Sequence, residues 1–176
     1  MTLVVETGSG GNPLANSYVS TATVDAYFVD RGNTAWTGTT AVKEAAVLRA
    51  MDYLEWSYVW KAQRLTDDQP LQWPRTFYPI DTWNRAISIN VVPPAIIKAT
   101  CELSLRALAG DLFPDTAGPR VQSESSSIGG AISKSRTYAG GGGFSNQKRF
   151  PMVDAILARY ASGGSTGVRA SRIERA

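Results

Sequence analysis

One stretch, Val92 to Gly110, constrains the fold of this chain more than any other, because its two ends and its buried face are all legible. Proline has no amide hydrogen, so Pro93 and Pro94 leave nothing unpaired in a first helical turn, and Gly110 suits the left-handed residue that follows a last turn. Ile97, Cys101, Leu105 and Leu108 recur at three-to-four spacing, and Ile96, Leu103 and Ala107 widen the stripe. This predicts a helix buried over more than half its circumference. Lys98, Glu102 and Arg106, four apart and of alternating sign, mark its expected solvent edge. So apolar a helix needs partners.

The main partner is Ala41 to about Trp60, with Thr40 placed to cap it. Val47, Met51, Leu54 and Tyr58 step along one face, and Lys43, Glu44, Asp52 and Glu55 lie largely off that line. The two helices are expected to pack as an antiparallel pair. Upstream, Ala22 to Arg31 forms a shorter helix with Val24, Tyr27 and Phe28 on its apolar face. Asp25 is expected in its first turn, where the helix dipole favours a carboxylate, and Gly32-Asn33 ends it, with Trp36 in the connector that follows. Before it, Leu3-Val4-Val5-Glu6 reads as a short strand. The glycines from Gly8 to Gly11 resemble the start of a phosphate loop, but Asn12-Pro13 breaks the chain before any helix begins, so a flexible turn is expected.

The connection from Lys61 to Val92 is long and carries Pro70, Trp73-Pro74-Arg75 and Pro79. Proline biases the residue before it towards an extended backbone, and Trp73, Phe77, Tyr78 and Trp83 supply enough aromatic surface to fold the loop onto the helices. After Gly110 the chain turns polar. Val121 to Ile128 and Ala131 to Tyr138 read as two strands around a Gly129-Gly130 turn. An isolated hairpin is marginal in water, so this one is expected to need neighbours, such as other copies of the chain. Gly140 to Gly143 forms a hinge, Pro151 opens a last helix from Met152 to Tyr160 with Val153, Ile156, Leu157 and Tyr160 apolar, and Gly163 to Gly167 releases a tail bearing Arg169, Arg172 and Arg175.

The expected fold is therefore mainly α: a small helical bundle with two long antiparallel helices, a β-hairpin used in assembly and an extended C-terminal arm. Residues 1–119 form a helical core with an N-terminal extension, 120–150 the hairpin and hinge, 151–162 the C-terminal helix and 163–176 the basic arm.

The chemistry is narrowed mostly by what is missing. There is no histidine among the 176 residues, which removes the usual general base at neutral pH and the commonest transition-metal ligand. The single cysteine, Cys101, reads as a small buried hydrophobe. Asp67-Asp68 sits in a turn beside Pro70; Ser123 to Ser127 has no histidine to activate it; Ser145 and Lys148 have Ser-x-x-Lys spacing but precede the helix at Pro151. No catalytic, cofactor-binding or metal site is expected, and the chain does not read as an enzyme. With no apolar run of membrane-spanning length and no secretory leader, it is expected to be made in the cytoplasm and to have no membrane partner.

Net charge is +3, yet residues 1–119 hold nine Lys+Arg against twelve Asp+Glu, whereas 120–176 hold nine against three. A basic tail suits nucleic acid or an acidic protein surface. Arg64, Trp73 and Arg75 are the candidate contacts if single-stranded DNA is the ligand, since aromatic faces stack on bases beside cations that meet phosphates. The other reading is that these side chains anchor the loop to the core helices. An oligomeric structural protein makes more use of the hairpin, the hinge and the tail.

Several stretches share one pattern: Leu3-Val4-Val5-Glu6-Thr7-Gly8, Asn16 to Ser20, Asp25-Ala26-Tyr27-Phe28 with Arg31-Gly32-Asn33, Ala50 to Leu54, Gln72-Trp73-Pro74-Arg75, Val92-Pro93, Lys98 to Gly110, and Phe150-Pro151-Met152-Val153-Asp154. The pattern resembles the head-tail connector, or adaptor, proteins of tailed double-stranded DNA phages, the group also labelled DnaT-like single-stranded-DNA-binding proteins. The resemblance implies a small helical virion protein of the phage neck. It would assemble as a ring, commonly twelvefold, between the portal protein and a tail or stopper protein, and extend the channel through which genomic DNA passes without sequence-specific contact. It further implies that Ile128 and Ile132 of the hairpin and Arg169, Arg172 and Arg175 of the arm meet neighbouring subunits and the portal. The alternative is single-stranded-DNA binding.

Overall fold

The computed structural model describes residues 2–8, 11–76, 88–113, 121–127, 133–138 and 148–162. The chain divides into two units, Met1–Leu112 with Arg149–Thr166 and Phe113–Lys148 with Gly167–Ala176.

The first unit is helical. Ser20 caps α1 (Thr21–Val29), its hydroxyl accepting from the Thr23 amide at 3.1 Å. Asp25 lies past the first turn, so it does not serve the helix dipole. Its Oδ1 instead accepts from Trp36 Nε1 at 2.6 Å and Lys43 Nζ at 2.7 Å, which ties α1 and the connector to the next helix. That helix, α2 (Thr40–Ser57), is capped by Thr39, one residue before the expected cap. It also stops three residues before Trp60. Tyr58 is extended (φ −120°, ψ 138°), and Tyr58 and Trp60 both enter the core while Val59 faces outward. The alternation of a strand has replaced the three-to-four spacing of a helix. Trp60 pairs in a single antiparallel bridge with Ala161, closed by Lys61 N to Tyr160 O at 3.0 Å and Ser162 N to Val59 O at 2.6 Å.

In α3 (Pro94–Ala109), Pro93 and Pro94 open the helix as expected. Gly110 is extended at φ 162°, not left-handed; its N–H still reaches Arg106 O at 3.2 Å, and the chain leaves directly so that Leu112 enters the core. The buried face is also rotated from expectation. Ala99, Thr100 and Ser104 are buried alongside Ile96, Cys101, Leu103 and Ala107, whereas Ile97, Leu105 and Leu108 are only partly covered. Small side chains let the facing helix approach closely, and the hydroxyls cost little because Thr100 donates to Ile96 O at 2.8 Å and Ser104 to Thr100 O at 2.7 Å. Glu102, expected at the solvent edge, is buried, accepting from Tyr27 Oη at 2.9 Å and Arg106 Nη1 at 2.8 Å.

The α2 and α3 helices form the main contact of the core. Arg49 meets Asp111 at 3.6 Å, while Tyr53, one turn further along α2, shares the Phe150 ring with Arg106, one turn back along the other chain segment. The pair is therefore antiparallel. Full burial of Leu54, Ile96 and Leu103 between these helices contributes about 1.5–3 kcal/mol for each side chain. The short α4 (Pro151–Leu157) closes the bundle against α3, burying Val153 and Leu157 and accepting from Tyr58 Oη on Asp154 at 2.8 Å. It ends three residues before Tyr160, which lies in the turn that leads to Ala161.

The N-terminal segment makes one parallel bridge, Val5 with Ser17, where a short strand was expected. The buried Glu6 side chain then curls under the glycine turn: its Oε1 accepts from Gly8 N at 2.7 Å and its Oε2 from Asn12 N at 2.6 Å. Gly8 has φ 91°, and a Cβ there would stand 2.4 Å from the Asn90 carbonyl oxygen, so only glycine fits.

In the second unit, β1 (Val121–Ser127) pairs antiparallel with β2 (Ser133–Tyr138), with a register shift between Val121 and Ser123. Gly129, Gly130 and the two assembly candidates Ile128 and Ile132 lie outside the described residues, as do the hinge at Gly140–Gly143, the loop aromatics Phe77, Tyr78 and Trp83, and the arm arginines Arg169, Arg172 and Arg175.

Candidate functional site

The loop after α2 folds back as a clamp and contains all three candidate DNA contacts. The Trp73–Pro74 peptide bond is cis. Trp73 is 0% exposed, edge-on to Trp60 and to Tyr160 with ring centroids 5.6 Å away in each case, and its backbone N–H donates to Tyr18 Oη at 3.0 Å. Neither face of the indole is open to a base. The Arg75 guanidinium is turned inward onto carbonyls: Nε donates to Lys61 O at 2.7 Å, Nη1 to Gln72 O at 2.9 Å, and Nη2 to Ala62 O. A guanidinium saturated in this way holds a loop together and has no free edge for phosphate. Gln69, fully buried, completes the clamp by donating to Leu71 O at 2.7 Å and Pro74 O at 2.9 Å and accepting from Thr66 N at 3.1 Å. Arg64 is exposed and donates to Gln69 O at 3.0 Å. In this geometry Trp73 and Arg75 anchor the loop, and neither is presented to solvent.

A different surface opens beside the clamp. The outward face of α2 and the segments Ala15–Asn16 and Pro70–Gln72 enclose a groove of about 400 Å³. Trp56 stands at its edge with 82% of its surface exposed, and Leu14, next in the chain to the lining residue Ala15, is 77% exposed. Leu48, Met51 and Leu71 supply apolar lining, and Asp52 and Glu55 supply two carboxylates. Glu55 accepts from Tyr18 Oη at 2.7 Å and from Gln72 N at 3.0 Å. Burial pushes its carboxyl up to about 7, against the opposing pull of those hydrogen bonds. Burial, with the Glu55 charge beside it, holds the Tyr18 phenol well above its ordinary range. Cys101 is likewise pushed up, to about 12, chiefly by burial, which makes it an inert thiol.

Helical periodicity passes over Trp56 because it falls on the polar side of α2, four residues after Asp52. That placement was itself the signal, since an aromatic among carboxylates on a helix's outer face has no core to fill. Among the described residues no group of His, Cys, Asp and Glu could hold a metal ion, and no helix is long and apolar enough to cross a membrane.

A family model matches residues 1–176, and its description is "Putative DnaT-like ssDNA binding protein". The chain belongs to this family. No curated protein and no solved structure matches it. Set beside that description, the described helical unit is close to electroneutral, with ten Lys+Arg against eleven Asp+Glu. Several of these charges face each other, as in Lys43–Asp25 at 2.7 Å and Arg106–Glu102 at 2.8 Å.

Proposed function

We propose that this chain is a structural subunit of the phage virion neck, forming a ring between portal and tail that extends the DNA channel. One observation carries the proposal. The tryptophan and guanidinium that a strand-binding surface would present, Trp73 and Arg75, are buried in the clamp, while the exposed indole, Trp56, stands beside two carboxylates. An exposed aromatic in an acidic setting suits protein contact better than a phosphate backbone. The sequence resemblance to connector proteins supports the same reading. The ring's partners would be further copies of the chain, the portal and a tail or stopper protein, with genomic DNA passing through without sequence-specific contact.

The family description favours a second reading, binding of single-stranded DNA. Among the described residues it would draw on Arg64, with the remaining cations coming from the C-terminal third. One measurement separates the two: the mass in solution of the purified protein, alone, with portal rings and with single-stranded DNA. The neck reading expects a ring, formed either alone or on the portal. A monomer indifferent to the portal that shifts with single-stranded DNA, and loses that shift steeply as salt is added, overturns it.

A further inference from the structure

We propose that the groove beside Trp56 receives the basic C-terminal segment, residues 163–176, of a second copy of this chain. The inference rests on the ring reading and names the contact that would join its subunits. Large exposed aromatics are where binding free energy concentrates at protein interfaces, and Trp56 at 82% exposure contributes almost nothing to its own core. The groove beside it has an apolar floor of Leu48, Met51 and Leu71. Its described lining holds the exposed carboxylate of Asp52, the Glu55 carboxyl already bonded to Tyr18 and Gln72, and no cation, so a cationic peptide is favoured there over a phosphate backbone.

The chain itself carries such a peptide. Val168-Arg169-Ala170-Ser171-Arg172-Ile173-Glu174-Arg175 sets Val168 and Ile173 among arginines, and residues 163–176 carry three Arg against one Glu. The guanidinium is suited to carboxylates because its planar fork donates two parallel hydrogen bonds. A groove and a peptide on different parts of one chain make a head-to-tail contact, which repeats around a ring when the rotation closes.

The test uses full-length protein throughout. An arm-neutral variant, Arg169→Ala with Arg172→Ala and Arg175→Ala, is titrated with a labelled synthetic peptide of residues 163–176, read by fluorescence anisotropy. Binding is expected, with at least a tenfold loss when Trp56→Ala is added and a comparable loss with Asp52→Lys. Circular dichroism of each variant should stay that of the parent, since both side chains are exposed. No binding, or equal binding with and without Trp56, overturns the proposal.

Complementation then decides which copy is bound. Full-length Trp56→Ala and the arm-neutral variant should each stay monomeric, yet pair one to one when mixed, as read by native mass spectrometry. Peptide binding without pairing means that the segment docks on its own chain, which also overturns the proposal. Failure of the two readings is separable. If Trp56→Ala still forms rings on the portal as the wild type does, the groove inference falls and the ring stands. If pairing occurs but the wild type forms no ring alone or on the portal, the ring falls and the groove stands.

Discussion

Trp73 and Trp56 show how one residue type serves opposite ends. Trp73 is enclosed by Trp60, Tyr160 and the Tyr18 hydroxyl, in a loop that sequence alone allows to be a nucleic-acid platform. Trp56 lies on the polar side of a regular helix and faces solvent. The loop residue is structural and the helix residue is presented. Position in a helix or a loop says little about a tryptophan's role; what encloses it says more.

The contrast can be broken by substitution. The largest effect is expected from Trp73→Ala, which removes a fully buried indole from the aromatic cluster and should cost about 3–5 kcal/mol. Chemical denaturation read by circular dichroism checks this; a cost below about 1 kcal/mol would return Trp73 to the list of surface contacts. Next, Arg75→Ala leaves the carbonyls of Lys61, Ala62 and Gln72 without their charged donor, an expected loss of about 2–3 kcal/mol. If Arg75→Ala instead leaves the unfolding midpoint unchanged but weakens DNA binding, the clamp account of this residue is wrong.

Glu55 sharpens the boundary between the two regions, since it touches the clamp through Tyr18 and Gln72 and lines the groove. Its folded carboxyl sits at about 7 against an ordinary 4.5, so the folded state holds a proton that the unfolded chain releases. The stability it contributes is fully present below the unfolded value and is lost as pH rises towards about 7. Thermal melts across that window should show stability falling with pH in the wild type and a flatter profile in Glu55→Gln. The smallest effect on folding belongs to Trp56→Ala, within about 0.5 kcal/mol of wild type as for other exposed sites. A large destabilisation would mean that the indole is covered within its own chain.

The sequence made the α3 helix legible because proline and apolar spacing are local signals, and they placed its start and its packing against α2. What it hid depends on three-dimensional neighbours. Glu102 looked like a surface charge until Tyr27 and Arg106 arrived to hold it, and Asp25 looked like a dipole partner until Trp36 and Lys43 claimed its carboxylate. The end of α2 was hidden because Tyr58 continues the helical spacing while its backbone has already become extended. Trp73 and Arg75 were readable only as alternatives, stacking platform or anchor, since composition cannot say which way a side chain turns. Trp56 is out of register with the apolar face of α2, so helical spacing alone assigns it no role.

The single bridge between Trp60 and Ala161 has a mechanical side. Two hydrogen bonds, Lys61 N to Tyr160 O at 3.0 Å and Ser162 N to Val59 O at 2.6 Å, fasten the end of the C-terminal helix to the end of α2. Tension applied to the chain beyond Ser162 is therefore transmitted first to residues 59–61, beside the aromatic cluster, before it can peel α4 from the bundle. The bridge acts as a strain relief, like the clip that lets a cable be pulled without loading its solder joint.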